Sequence, residues 1–306
     1  MRIGKLEVVA ACVLTAGAPA FAMTITPTFA ANINSDSNAA AIKASINAAI
    51  AIYQADFTDS ITVNITFQEG AGLGGSSTAF FNVTYASYLA ALIADKKTSD
   101  DNASNLPTAT QFSTFFGVSN INVKSANLRA VGLAGAVATD GTITLNTSLT
   151  TPGSSGTTSQ YSLMAVVEHE IDEVLGLGSA LPNKPNGDPF PEDLFRYTST
   201  AGTRSWDTLI ATVPFFSIDG TVDLARFHQQ NGDGGDYGDW QTGVAPPQVQ
   251  DWQATIGSNP TLGVELRALD VIGFDSAVPE PGTGVLLAAA LAFLGVLRRQ
   301  RGKTAA

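Results

Sequence analysis

Hydrophobic and polar positions along this chain follow two periods. From Asn38 to Phe57, Ile42, Ile46, Ile50 and Tyr53 recur every three or four residues, which predicts a helix with those side chains on one face. From Ser60 to Glu69 the period falls to two. Ile61, Val63, Ile65 and Phe67 alternate with Thr62, Asn64, Thr66 and Gln68, the pattern of a half-buried strand. Gly70 to Ser77, GAGLGGSS, breaks both periods and reads as a flexible loop. It lacks the Gly-Lys-Ser/Thr ending of a phosphate cradle. Ala86 to Lys96 predicts a second helix, Ser99 to Thr108 a polar connection, and Ser125 to Val131 a short helix. Gly141 to Leu149 alternates again around Ile143 and Leu145 and predicts a second strand. Thr150 to Gln160 is a Pro/Gly/Ser/Thr loop.

The next stretch, Ser162 to Gly178, has helical spacing at Leu163, Val166, Val167, Glu170, Val174 and Leu175, with Gly176 and Gly178 as stop signals. Glu168, His169, Glu170, Asp172 and Glu173 crowd this otherwise apolar segment without a single lysine or arginine. His169 and Glu173 are four apart and so share one helix face, where two side chains can grip one cation. Beyond it the periodicity weakens. Leu181 to Pro191 is a loop with a turn at Asn186-Gly187-Asp188. Asp193 to Tyr197 and Phe215 to Gly220 read as short strands or turns. Leu262 to Gly273 closes the pattern as a helix with Leu262, Leu266, Leu269 and Ile272 inward.

The two ends read differently. Residues 1–22 have the three parts of a signal peptide: Arg2 and Lys5, the apolar run Val8 to Leu14, and the small-residue site Ala20-Phe21-Ala22. The single cysteine, Cys12, lies inside it, so the mature chain offers neither a thiolate nucleophile nor a thiolate metal site. At the other end, in 278–306, Val278-Pro279-Glu280-Pro281 precedes the apolar run Gly282 to Leu297 and the basic tail Arg298, Arg299, Arg301 and Lys303. This trio resembles the PEP-CTERM sorting signal of Gram-negative bacteria. The resemblance implies export through the Sec machinery, transient membrane contact through the C-terminal helix, processing by an exosortase-type enzyme, and a destination in the cell envelope or outside the cell. Between the two signals, 23–277 carries 10 basic and 25 acidic residues, a net charge near −15. Nucleic acid is a poor partner for such a surface.

Candidate chemistry centres on HEIDE. It resembles HExxH, the helical zinc site of metallopeptidases, with His169 and Glu170 in place and Glu173 where the second histidine stands. Gly176 falls on the glycine of the longer metzincin pattern, and the third-ligand position falls on Ser179, which does not bind zinc. HEIDEVLG, DLFRY, FSIDG, GDYGDW and LDVIGFD together resemble a family of bacterial secreted proteins classed as metalloproteases, over most of Tyr161 to Phe274. That resemblance implies an α+β, zincin-like (metzincin-type) catalytic domain over 23–277, with a mixed sheet, an active-site helix and an irregular C-terminal half. In such folds an edge strand borders the cleft, and GTITLN is the candidate for that edge.

The implied activity is hydrolysis of peptide or protein substrates, with Glu170 as general base and His169 and Glu173 as zinc ligands. The third ligand is open between Asp193 and His228, with Glu192 a weaker choice. Asp172 is expected beside the imidazole as a group that orients it, or in solvent. One histidine with two carboxylates makes a harder set than usual, which brings manganese or calcium closer to zinc. Asn231 to Trp240, with three aspartates among its glycines, is a candidate calcium loop and otherwise a polar turn. No G-x-S-x-G occurs, and no spacing singles out a glycosidase carboxylate pair. The competing expectation is a non-catalytic cell-surface or exopolysaccharide-associated protein on a degenerate zincin fold.

Overall fold

The computed structural model describes residues 23–182, 187–229 and 232–277. The signal-peptide reading of 1–22 and the PEP-CTERM helix and tail of 278–306 lie outside them. Among the described residues no helix is long and apolar enough to cross a membrane.

In chain order the elements are β1 (Thr24–Phe29), α1 (Ala31–Ser35), α2 (Ala39–Asp56), β2 (Thr62–Glu69), β3 (Gly74–Thr78) and β4 (Phe80–Thr84). Then come α3 (Tyr85–Asp95), α4 (Ser99–Ala103), α5 (Ala109–Phe116), β5 (Asn120–Lys124), α6 (Ser125–Ala130) and β6 (Gly141–Leu145). The second half holds β7 (Thr150–Thr151), β8 (Tyr161–Ser162), α7 (Leu163–Leu175), β9 (Arg196–Thr198), β10 (Pro214–Phe216), β11 (Ala225–Arg226) and α8 (Val264–Val271). The fold is mixed α and β, with several small sheets and eight α-helices among the described residues.

The main sheet has the order β1-β2-β6-β3. β1, β2 and β6 are parallel, with Ile25 opposite Val63 and Phe67 opposite Ile143. β3 runs antiparallel to β6, with Ser76 opposite Ile143. In β2 the period of two holds: Val63, Ile65 and Phe67 are buried and their neighbours are not. Ile42, Ile46, Ile50 and Tyr53 form the buried face of α2, as the helical spacing requires. β1 was not legible as a strand. Pro27 has no N–H to give, and an edge position tolerates that.

Two expectations are corrected in this sheet. GTITL is not its edge. β6 lies between β2 and β3, and its Gly141, Ile143 and Leu145 are all buried. The edge on that side is β3, drawn from the stretch expected to be a flexible loop. Gly-Gly-Ser-Ser-Thr has little intrinsic strand preference, and tertiary packing overrides it. The sequence reason is steric: a Cβ on Gly74 would lie 2.3 Å from Glu170 Oε1 and 2.7 Å from Val166 Cγ1. Glycine there lets the edge strand press against α7.

The polar connection also holds more than expected. Thr98 with Asp101 and Thr108 with Gln111 form capping boxes that start α4 and α5, and Gly117 at φ 75° ends α5. α7 begins at Ser162, whose hydroxyl accepts from the Ala165 amide at 3.1 Å, and ends at Leu175 with Gly176 as cap. α7 packs against α2 on one side and the β3–β6 edge on the other.

The second half is organised by aromatic packing. Phe216 lies 5.6 Å from Trp240, and Phe227 lies 5.0 Å from Trp240, ring centre to centre. Bridges Phe227–Trp240 and Trp240–Asp251 bring segments 227, 240 and 251 side by side beneath α7. α8 follows, with Leu269 and Ile272 buried and Leu262 and Leu266 only partly so. The chain then returns to the end of α2. Phe57 bridges Ser276, and the Thr58 amide donates to the Asp275 carbonyl at 2.8 Å.

Candidate metal centre

α7 presents His169 and Glu173 one turn apart on the face turned toward the aromatic half. His169 Nε2 lies 3.8 Å from Glu173 Oε1. It also lies 3.7 Å from Asp239 Oδ1. One donor atom from each of the three residues falls within 4.8 Å of the others, and this is the group among the described residues that could hold a metal ion. The third member of this group is Asp239, from the GDYGDW segment.

Neither of the two sequence candidates joins it. Asp193 is spent on the turn after α7: Ser179 Oγ donates to its Oδ1 at 2.6 Å, and the amides of Ala180 and Phe190 donate to its Oδ2. That also places Ser179, the residue at the metzincin third-ligand position, as a donor to Asp193. His228 stacks on Trp252 at 4.4 Å and holds Asp233 at 3.1 Å through Nε2. Its backbone amide donates to the Asp239 carbonyl at 2.7 Å. His228 is thus part of the frame under the loop. Glu192 accepts from the Gly178 amide. Asp172 faces away, with the Tyr53 hydroxyl 2.8 Å from its Oδ1. Burial, and then the Glu265 carboxylate, holds it well above the ordinary carboxylate range.

Each donor is braced. His169 Nδ1 lies 3.0 Å from the Val249 carbonyl, which holds a proton on Nδ1, so that in the neutral ring Nε2 carries the electron pair on the side of the acids. Ser76 Oγ of β3 donates to Glu173 Oε2 at 2.5 Å, leaving Oε1 toward His169. Gln250 Nε2 donates to Asp239 Oδ1 at 2.9 Å. Lys124 closes the end of α7: its ammonium is buried and donates to the carbonyls of Glu173 and Leu177, where the helix end is electronegative.

Long-range packing carries Asp239 to this point. A Cβ on Gly238 would lie 2.5 Å from the Gly178 Cα, so the loop and the turn after α7 touch backbone to backbone. Arg196, fully buried, donates to the Tyr237 carbonyl at 2.6 Å and to Gln229 Oε1 at 2.7 Å. Its guanidinium sits 4.5 Å above the Phe227 ring. Gly-Asp spacing is the sequence signal for Asp239, and it points to a calcium loop or a polar turn rather than to the third donor. In the described part of that loop, Asp233 and Asp236 each accept an amide two residues on, from Gly235 and Gly238, as turn residues do.

Glu170 lines the same cleft, which has a volume of about 350 Å³ and is walled by Gly74, Tyr161, Val166 and Trp252. Its Oε2 is buried without a hydrogen-bond partner. Burial, and then the Glu173 charge, pushes Glu170 up to about 9. Burial works against the His169 imidazolium, and the Glu170 and Glu173 carboxylates outweigh it, so His169 titrates above its ordinary value.

Other buried carboxylates are displaced in the same direction, mainly by burial: Glu168 to about 8 and Asp59 to about 7. An acid whose folded value is raised stabilises the fold fully below its unfolded value and loses that contribution as pH climbs through the folded one. In chelator, the melting temperature is therefore expected to fall steadily from about pH 5 to about pH 9. A scan that rises or stays flat over that window contradicts these assignments.

The model for the PEP-CTERM protein-sorting motif matches residues 277–301. The chain thus carries a signal for export and sorting to the cell envelope or the exterior, recognised by an exosortase-type processing enzyme. The match begins at Ala277, whose amide donates to the Asp56 carbonyl at 2.6 Å. No curated protein and no solved structure matches the chain.

Proposed function

We propose that this exported chain is a metal-dependent peptidase on a zincin-like framework. One observation carries the reading. His169, Glu173 and Asp239 converge in a cleft, with a buried, unpartnered oxygen of Glu170 beside them. The donor set fits a divalent cation: one imidazole nitrogen freed by its Nδ1 contact, two carboxylates, and room on the cleft side. A bound cation would supply Lewis acidity and bring the pKa of water down to about 7.

The chain's own residues do the rest. His169, Glu173 and Asp239 hold the position. Glu170 takes the proton of the attacking water and returns it to the leaving amine. A carboxylate that titrates high is pulled down by a nearby positive charge, toward the range where a base works at neutral pH. β3 supports an extended substrate, for among the described residues no strand pairs with its outer edge, and Gly74 and Gly75 border the cleft. Three parallel strands followed by one antiparallel edge strand under the ligand-bearing helix also support the zincin-like framework. One nitrogen and two oxygens make a hard set, so manganese competes with zinc.

The test is hydrolysis of an unfolded protein such as casein. Activity is expected to disappear with chelator and to return with Zn²⁺ or Mn²⁺. A purified protein that holds the cation stoichiometrically yet cleaves nothing is a non-catalytic envelope protein, and the peptidase reading then fails.

A further inference from the structure

Gln250 stands beside the cation position and is fully buried. Its backbone is clamped: the amide donates to Glu265 Oε1 at 3.1 Å, and the carbonyl accepts from the Trp240 amide at 2.8 Å. What it can still do is turn its terminal carboxamide. The amide nitrogen now faces the acids, 2.9 Å from Asp239 Oδ1 and 3.4 Å from His169 Nε2. The amide oxygen, Oε1, is buried with no hydrogen-bond partner.

With the nitrogen on that side, the carboxamide works against a bound cation. An NH₂ pointing at Asp239 Oδ1 and His169 Nε2 occupies the electron pairs a cation would need. It also turns the positive end of the amide dipole toward the positive ion. The terminal torsion of glutamine is broad and nearly two-fold, so a half turn exchanges nitrogen for oxygen at small steric cost. It gives up the hydrogen bond to Asp239, whose oxygen the cation then takes. It also gives a role to a buried acceptor, and such an orphan costs about 1–3 kcal/mol. Amide oxygens are ordinary ligands of hard cations.

We infer that Gln250 is a fourth protein ligand of the His169–Glu173–Asp239 site, supplying Oε1 to a hard divalent cation after a half turn of its carboxamide. This rests on the cation site proposed above. The consequence is a set of one nitrogen and three oxygens, which favours Mn²⁺ over the preference of a site rich in histidine.

The probes are Mn²⁺ by titration calorimetry and the visible spectrum of Co²⁺ in the purified protein, each with the thermal melt of the metal-free form as a folding control. Gln250→Leu is expected to weaken Mn²⁺ binding by about 10- to 100-fold, the size of effect that ligand-shell changes produce. It is also expected to intensify the Co²⁺ bands as the coordination number drops. Gln250→Glu, which keeps an oxygen in place, is expected to bind Mn²⁺ at least as tightly as the parent. Weakened binding with an unchanged Co²⁺ spectrum makes Gln250 only a support for Asp239 and overturns the assignment, as does unchanged affinity in Gln250→Leu. A parent protein that binds neither Mn²⁺, Zn²⁺ nor Co²⁺ removes the site itself, a failure distinct from that of Gln250 alone.

Discussion

Glu170→Gln is expected to lower peptide hydrolysis by about 10²- to 10⁴-fold, the usual contribution of a general base, while leaving cation binding in place. The substitution keeps size and shape, so the close approach of Gly74 of β3 to this side chain survives. It removes only the ability to take a proton. A second effect runs the other way. Glu170 is buried, one of its oxygens is unpartnered, and burial with the Glu173 charge pushes it up to about 9. Glutamine cannot ionise in the unfolded chain either, so the substitution is expected to raise the melting temperature of the metal-free protein above pH 7, by a few degrees per kcal/mol in a chain of this size. A structural role for Glu170 predicts the reverse pair, activity kept and stability lost. Kinetics and melting on one preparation separate the two.

Arg196→Met is expected to cost about 3–5 kcal/mol in denaturant unfolding, the range for breaking a buried charge network by removing one member. Burial lowers the guanidinium to about 10, still charged at neutral pH, with Asp193 the first of the acids that offset the loss. Methionine fills much of the volume but leaves the Tyr237 carbonyl and Gln229 without their donor. Because Tyr237 is two residues before Asp239, the loss reaches the site. Cation affinity is expected to fall in the folded variant as well, although Arg196 touches no donor of the group. Unchanged affinity in a folded Arg196→Met protein would mean that Asp239 is positioned by other contacts.

The difference between what the sequence displays and what it conceals follows contact range. α2, β2, α7 and α8 were legible because their buried faces are written locally, as periods of 3.6 or 2. His169 and Glu173 were legible for the same reason: the helix alone puts them on one face. Asp239 was not, because long-range contacts bring it under α7: the Arg196 clamp, the Gly238–Gly178 contact, the Trp240 cluster and the hydrogen bonds from His228 and Gln250. Such contacts leave glycines and aromatics in the sequence without saying what they touch. β3 was concealed by the same kind of contact, for Gly74 marks a close approach that looks like flexibility in a linear reading. α5 was legible in principle, since Thr108 and Gln111 spell a capping box that a polar composition obscured.

The most direct measurement is the metal content of the purified protein, with and without Asp239→Ala. One Zn²⁺ or Mn²⁺ per parent chain is expected, with the cation lost and the fold kept when Asp239 is truncated. A parent chain that binds no divalent cation, or an Asp239→Ala protein that holds it as tightly as before, contradicts the account at its centre.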